Sequence, residues 1–114
     1  MKLISKKEIF YYETKEGKCP YIEWISQMDL KGQAILEARI SRLENGNIGK
    51  VENLGDGVHE LKIDFGPGIR IYFGNANDTL VIILVGGTKK CQNQDIKLAK
   101  FYWKDWKNRF SIDK

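Results

Sequence analysis

One histidine, two cysteines and two prolines are all that this chain of 114 residues holds of the types that most often build metal sites, disulfides and rigid turns. Cys19 and Cys91 stand far apart and match no metal-ligand or redox spacing, so free thiols in a reducing cytoplasm are expected rather than a disulfide scaffold. His59 has no second histidine to pair with, and no carboxylates cluster around it in sequence. Neither a metal site nor a Ser or Cys nucleophile triad is therefore expected, and no cofactor is expected either. Long apolar runs are also missing: Leu80–Val85 stops at a glycine pair, far short of the roughly 18 residues that a membrane span needs. The first residues, Met1–Thr14, carry lysines but no apolar run of roughly 7–15 residues, so no signal peptide is expected.

What is present describes one folded domain over residues 1–114. The hydrophobic fraction of 42% and aromatic fraction of 11% are those of a chain that buries a core. The net charge of +4 is modest, but its distribution is not. Between Gly86 and Phe110, seven Lys or Arg stand against Asp95 and Asp105, a local excess of +5 that leaves the remainder at −1. Positive charge gathered in one quarter of a sequence points to a polyanionic partner.

In chain order, Glu8–Thr14 is rich in β-formers and reads as a first strand. Pro20 opens a short helix in which Ile22, Trp24, Ile25 and Met28 share a side. Asp29 is the expected N-cap of a second helix ending near Glu44, with Ile35, Leu36, Ala38, Ile40 and Leu43 as its apolar stripe. Its charges, Arg39 and Arg42 included, cancel and read as a solvated outer face. Residues 50–57 read as a polar loop.

From Val58 the pattern alternates with period two, placing His59, Leu61, Ile63 and Phe65 on one face and Glu60, Lys62 and Asp64 on the other. After Gly66-Pro67-Gly68, Ile69, Ile71 and Phe73 alternate with Arg70 and Tyr72. A register that matches faces pairs Ile63 with Ile71, Leu61 with Phe73, Lys62 with Tyr72 and Asp64 with Arg70. Residues 79–85 are apolar on both faces and read as an interior strand ended by Gly86-Gly87. A helix then begins near Asn93, with Ile96, Ala99, Trp103, Trp106 and Phe110 as its docking stripe and Lys97, Lys100, Lys104 and Lys107 as a basic stripe beside it. The fold class is α+β: a mainly antiparallel sheet packed on an αα-hairpin, with a C-terminal helix.

His59 is the obvious acid–base group by type, yet it falls on the apolar face and reads as a partly buried, hydrogen-bonded histidine. The remaining constellation is cationic: Lys62, Arg70 and Tyr72 on the hairpin's other face, then Lys89 and Lys90, then Lys97, Lys100, Lys104 and Tyr102 on the helix. Spacing leaves two readings of that face open. In one it is solvated, with Arg70 on Asp64 and Lys62 on Glu60 or water. In the other it is a phosphate-binding groove, where an Arg fork and lysines grip phosphate and aromatic faces accept bases. Such a groove can cut RNA without a metal if a base takes the proton of the ribose 2′-OH, an acid protonates the leaving 5′-oxygen and cations hold the developing charge. A lysine or tyrosine with a lowered pKa in a strongly cationic pocket is the expected acid–base group.

Four segments carry a resemblance. They are Gly17, Pro20, Glu23 and Trp24 (G-x-x-P-x-x-E-W); Ala38–Gly49 (A-R-I-x-R-L-E-x-G-N-x-G); Leu54–Phe73 (L-G-D-G-V-x-E-L-K-I-D-F-G-P-G-x-R-x-Y-F); and Gly86–Trp103 (G-G-x-K-x-x-Q-x-x-D-I-x-x-A-x-x-Y-W). Together they resemble the HigB-like addiction-module killer proteins, a phage-derived family of the RelE/ParE toxin superfamily. The resemblance implies a RelE-like β-α-α-β-β-β-α fold, a helix-turn-helix antitoxin as partner, and ribosome-dependent, metal-independent cleavage of mRNA in the cytoplasm. It implies Arg70, Lys62 and Lys89 as catalytic cations. Lys90, Tyr72, Lys97, Lys100, Tyr102 and Lys104 are the expected RNA-binding residues. The chain departs from the family pattern in having Lys62 where Arg is commoner, Ile69 for Tyr, Thr88 for Asp and Cys91 for Ser. The superfamily also holds gyrase poisons that cut no RNA, and an inactive remnant binding nucleic acid or antitoxin is a third alternative.

Overall fold

The computed structural model describes residues 6–47 and 49–110, so part of the stretch read for a signal peptide lies outside the described residues. A five-stranded sheet in the order β1-β5-β4-β3-β2 forms the middle layer: β1 Glu8–Tyr11, β2 Val51–Asn53, β3 Val58–Ile63, β4 Ile69–Asn75 and β5 Leu80–Thr88. β1 runs parallel to β5 and the other pairings are antiparallel. Helices α1 (Pro20–Ile25) and α2 (Leu30–Glu44) serve one face, and α3 (Gln92–Phe110) covers much of the other. The class is therefore α+β, as the patterning indicates. Among the described residues, no helix is long and apolar enough to cross a membrane.

Local chemistry sets the helix starts. Asp29 caps α2, its Oδ1 accepting the Gly32 N–H at 2.8 Å, and Pro20 occupies the first turn of α1, where its missing donor is harmless. On the α1/α2 face, Leu61, Ile63, Ile69, Ile71, Phe73, Val81 and Ile83 meet Tyr21, Leu36, Ile40 and Leu43. Ile22 and Ala38, expected in the apolar stripes, are exposed, while Tyr21 takes the buried place in α1. On the α3 face, Val58, Tyr72, Ile82, Leu84 and Val85 meet Ala99 and Trp103. Phe110, expected in the docking stripe, is 52% exposed and meets the Trp106 ring and the Arg109 guanidinium at the edge of that stripe, outside the buried core.

Consecutive Leu84 and Val85 face the same way because Tyr72 pairs with Val85 while Phe73 pairs with Ile83, which leaves Leu84 as the extra residue of a bulge. The glycine pair expected to end β5 instead lies within it. A Cβ on Gly86 would fall 2.3 Å from Trp24, and one on Gly87 would fall 1.9 Å from the Asp95 carboxylate. These strand glycines admit a ring on one face and a carboxylate on the other.

Three further expectations are corrected. β1 ends at Tyr11, because Tyr12 turns into the α3-side core. The polar loop over 50–57 contains an edge strand, β2, paired with β3. The β3–β4 register is also displaced by two residues: Ile63 pairs with Ile69, Lys62 with Arg70, Leu61 with Ile71 and Glu60 with Tyr72. Phe65 is taken into the turn, where its carbonyl accepts the Gly68 N–H at 3.0 Å and its ring packs back on the core. The loop between the paired strands is thus five residues, 64–68, rather than three.

Candidate phosphate-binding face

The displaced register changes what surrounds Arg70. Lys62 sits directly opposite it across the strands, and Asp64 does not pair with it. Its ion-pair partner is Glu60, whose Oε2 lies 3.7 Å from Arg70 Nε. Glu60 is fully buried, and Gln92, the first residue of α3, donates to the same Oε2 at 2.7 Å. Arg70 itself is 9% exposed, so its guanidinium reaches the surface only at its tip. The contact is an ion pair rather than a hydrogen bond, because Arg70 Nε and Glu60 Oε1 have no hydrogen-bond partner among the described residues, and burial beside this charge restricts the guanidinium.

Lys89 joins this pair through the backbone. Its N–H donates to the Gly68 carbonyl at 2.9 Å, and a Cβ placed on Gly68 would lie 3.4 Å from both Arg70 Nη1 and Lys89 Cβ. Gly68 has φ +88°, a conformation that disfavours side chains, so the torsion rather than a clash favours glycine there. Lys89 and Lys90 form a single 3₁₀ turn ahead of α3, and both are exposed. Lys62 is paired with Glu52 at 3.3 Å on the surface. Such exposed pairs are worth only about 0–1 kcal/mol, so phosphate can displace the carboxylate.

The other expected residues do not join them. Tyr72 is fully buried under α3 and cannot stack a base. Its hydroxyl lies among Glu60 and Asp95 with no partner at hydrogen-bond geometry among the described residues, and burial first, then those carboxylates, push its pKa up. Tyr102 stacks on Tyr12 with ring centroids 4.7 Å apart, and burial also raises its pKa. The tyrosines therefore stay protonated instead of serving as lowered-pKa bases. Lys100 pairs with Asp56 at 3.4 Å, and with Lys104 and Phe101 it lines a second groove of about 530 Å³ near Trp103. Trp103 covers Gly57 and Gly74, at the far end of β3 and β4 from Arg70. Lys97 is exposed on α3 beyond Gln92. His59 stacks on Phe73 at 5.4 Å on the α2 side, where burial lowers its pKa, and no hydrogen bond holds it among the described residues.

Glu60 and Gln92 are members of this candidate site that sequence reasoning missed. The correct register, with Glu60 opposite Tyr72 and two places from Arg70, is the signal that finds the first. The second required the docking of α3. Among the described residues, no group of three or more His, Cys, Asp or Glu is placed to hold a metal ion. Both cysteines are free.

No family model matches the chain. A protein of Haemophilus influenzae described as uncharacterized is 47% identical over 78 residues, which cover 68% of this chain and 79% of that protein. At that identity and coverage, the chain belongs to the same family as this Haemophilus protein.

Proposed function

We propose that the chain is the toxin of a type II toxin–antitoxin module, an endoribonuclease that cuts mRNA in the ribosome and is neutralised by a helix-turn-helix antitoxin. The observation that carries this reading is the direct cross-strand opposition of Lys62 and Arg70, with Lys89 beside them over Gly68. Like charges directly opposite in a sheet are destabilising. A buried Arg–Glu pair is itself no better for stability than apolar packing. Charges arranged against the interest of the fold are accounted for by an anionic ligand. The segment resemblance to HigB-like proteins supplies the ligand's identity. With the short β2 set aside, the element order is β-α-α-β-β-β-α, which supports a RelE-like topology.

In this mechanism the Arg70 fork, fixed by Glu60, holds the non-bridging oxygens of the scissile phosphate, and Lys62 and Lys89 add point charges. The ribose 2′-oxygen bonds to phosphorus as its proton passes to water, and the phosphorus–5′-oxygen bond breaks as that oxygen takes a proton from water. The products are a 2′,3′-cyclic phosphate and a 5′-hydroxyl. Cationic stabilisation of this kind is worth about 10²–10³-fold per donor. Induced expression in a bacterial host, followed by primer extension on cellular messages, tests the reading. Wild-type chain should arrest growth with cut messages, and Arg70→Lys should leave them whole. Arrest with intact messages would instead point to a protein target such as gyrase, and harmless expression would point to an inactive remnant.

A further inference from the structure

A cleft of about 480 Å³ lies between α2 and the end of β3, and Arg70 and Lys62 form only one of its walls. Arg39, Arg42 and Lys50 form another, and Asp64 is the one carboxylate among the residues lining it. β2 begins at Val51, and its neighbour Lys50 accepts the Lys62 N–H at 3.2 Å, so the cleft opens where the edge strand gives out.

The α2 wall is built, not merely charged. Arg39 is 7% exposed, and a Cβ on Gly49 would fall 1.7 Å from its Nη2, so the guanidinium fills the space over that glycine. Its Nη1 donates to the Asn47 carbonyl at 3.5 Å. Burial lowers its pKa, and the neighbouring Arg42 charge lowers it further. Arg39 and Arg42 stand three residues apart on one helix, a spacing at which like charges repel. The charges of α2 thus divide in space: Arg39 and Arg42 line the cleft that Lys62 and Arg70 line from the sheet, while the Glu37 and Glu44 charges act on Tyr11.

We propose that this cleft is a second phosphate site, which takes the sugar-phosphate backbone of a single RNA strand next to the phosphate held at Arg70. The inference rests on the proposed role of Arg70 as the anchor of the scissile phosphate. Arg42 and Lys50 are the strand's contacts on this wall, and Arg39 is the fixed charge behind them. The site reads no base, because phosphate contacts fix register and orientation rather than sequence.

The test uses a fluorescent RNA hexanucleotide with 2′-O-methyl riboses, which cannot be cut, and follows its anisotropy across a salt series. Arg42→Gln with Lys50→Gln should weaken binding about tenfold or more at about 50 mM salt, and should lower the salt slope by about 1.4, which is about 0.7 for each of the two charges. Lys15→Gln with Lys18→Gln removes the same charge from an exposed loop and should change neither. Neither double variant should melt below the wild type. Equal losses in the two double variants would mean that only net charge is felt, and would overturn the site. Unchanged binding after Arg42→Gln with Lys50→Gln, alongside weakened binding by Arg70→Lys, would overturn the second site and leave the proposed function standing. Wild-type protein that ignores the strand at low salt would overturn the second site, while the ribosome-dependent reading stands or falls on the cleavage test above.

Discussion

Arg70 Nε lies 3.7 Å from Oε2 of Glu60, and Glu60 is fully buried. Removing the arginine alone strands a carboxylate in the interior with Gln92 as its donor. Arg70→Met should therefore destabilise the chain by about 3–5 kcal/mol, and Glu60→Gln added to it should recover a large part of that loss. Urea unfolding of the two single variants and the double variant gives the coupling directly. Additive losses would contradict an energetic link between the two side chains.

Lys62 should show opposite signs in stability and activity. It faces Arg70 across the strands, so Lys62→Met should stabilise the fold by about 0.2–1 kcal/mol through relief of like-charge repulsion. The same change should lower message cutting by about 10²–10³-fold. Lys62→Arg should retain cutting, since it keeps the charge and adds a fork. Thermal melts alongside cleavage rates in a translation reaction separate the two effects.

The far end of α3 contributes to pH stability on both the acidic and the alkaline side. Asp105 accepts hydrogen bonds from Tyr12 at 2.6 Å and from Arg109 at 2.8 Å and 3.0 Å, and these hold its carboxyl below the usual range. Its stabilisation should be complete above about pH 4 and fade as pH falls through the depressed folded value. Tyr12 is pushed up to about 12, by burial first and then by Asp105. Its proton is bound more tightly in the folded chain, so that contribution should be present below about pH 10 and fade as pH rises towards the folded value. His59, lowered by burial, should begin to withdraw stability as pH falls below about 6.5. Denaturant midpoints across pH, compared with Tyr12→Phe and His59→Gln, should show the alkaline limb flattened by the first and the mildly acidic limb by the second.

Gly86→Ala should be one of the more disruptive single-methyl changes in the sheet. The new Cβ would lie 2.3 Å from the Trp24 ring, and Gly86 is buried. A loss of about 1–3 kcal/mol is expected, with altered tryptophan fluorescence as the ring is displaced. An unchanged melt and spectrum would mean that α1 moves aside freely.

Much of this fold is legible in the residues. Asp29 and Pro20 mark helix starts because capping and the missing N–H act within a few residues. Strand alternation gives the faces of β3 and β4, but period two cannot register a slip of two residues. The pairing of Lys62 with Arg70 instead of Tyr72 therefore escaped it. β2 is too short and polar to announce itself. The burial of Tyr72, and with it the loss of an aromatic platform beside Arg70, depends on where α3 docks. Arg39 on α2 has the same origin: a helical pattern shows charge balance, not which charges the tertiary fold draws into a cleft.

The most direct measurement is to mix the purified chain with ribosomes translating a defined message and to characterise the new RNA ends. The expected result is cleavage that leaves a 2′,3′-cyclic phosphate and a 5′-hydroxyl, abolished by a 2′-O-methyl ribose at the cut site and by Arg70→Lys. A message that stays intact with the wild-type chain, or cleavage that proceeds through the 2′-O-methyl position, would contradict it.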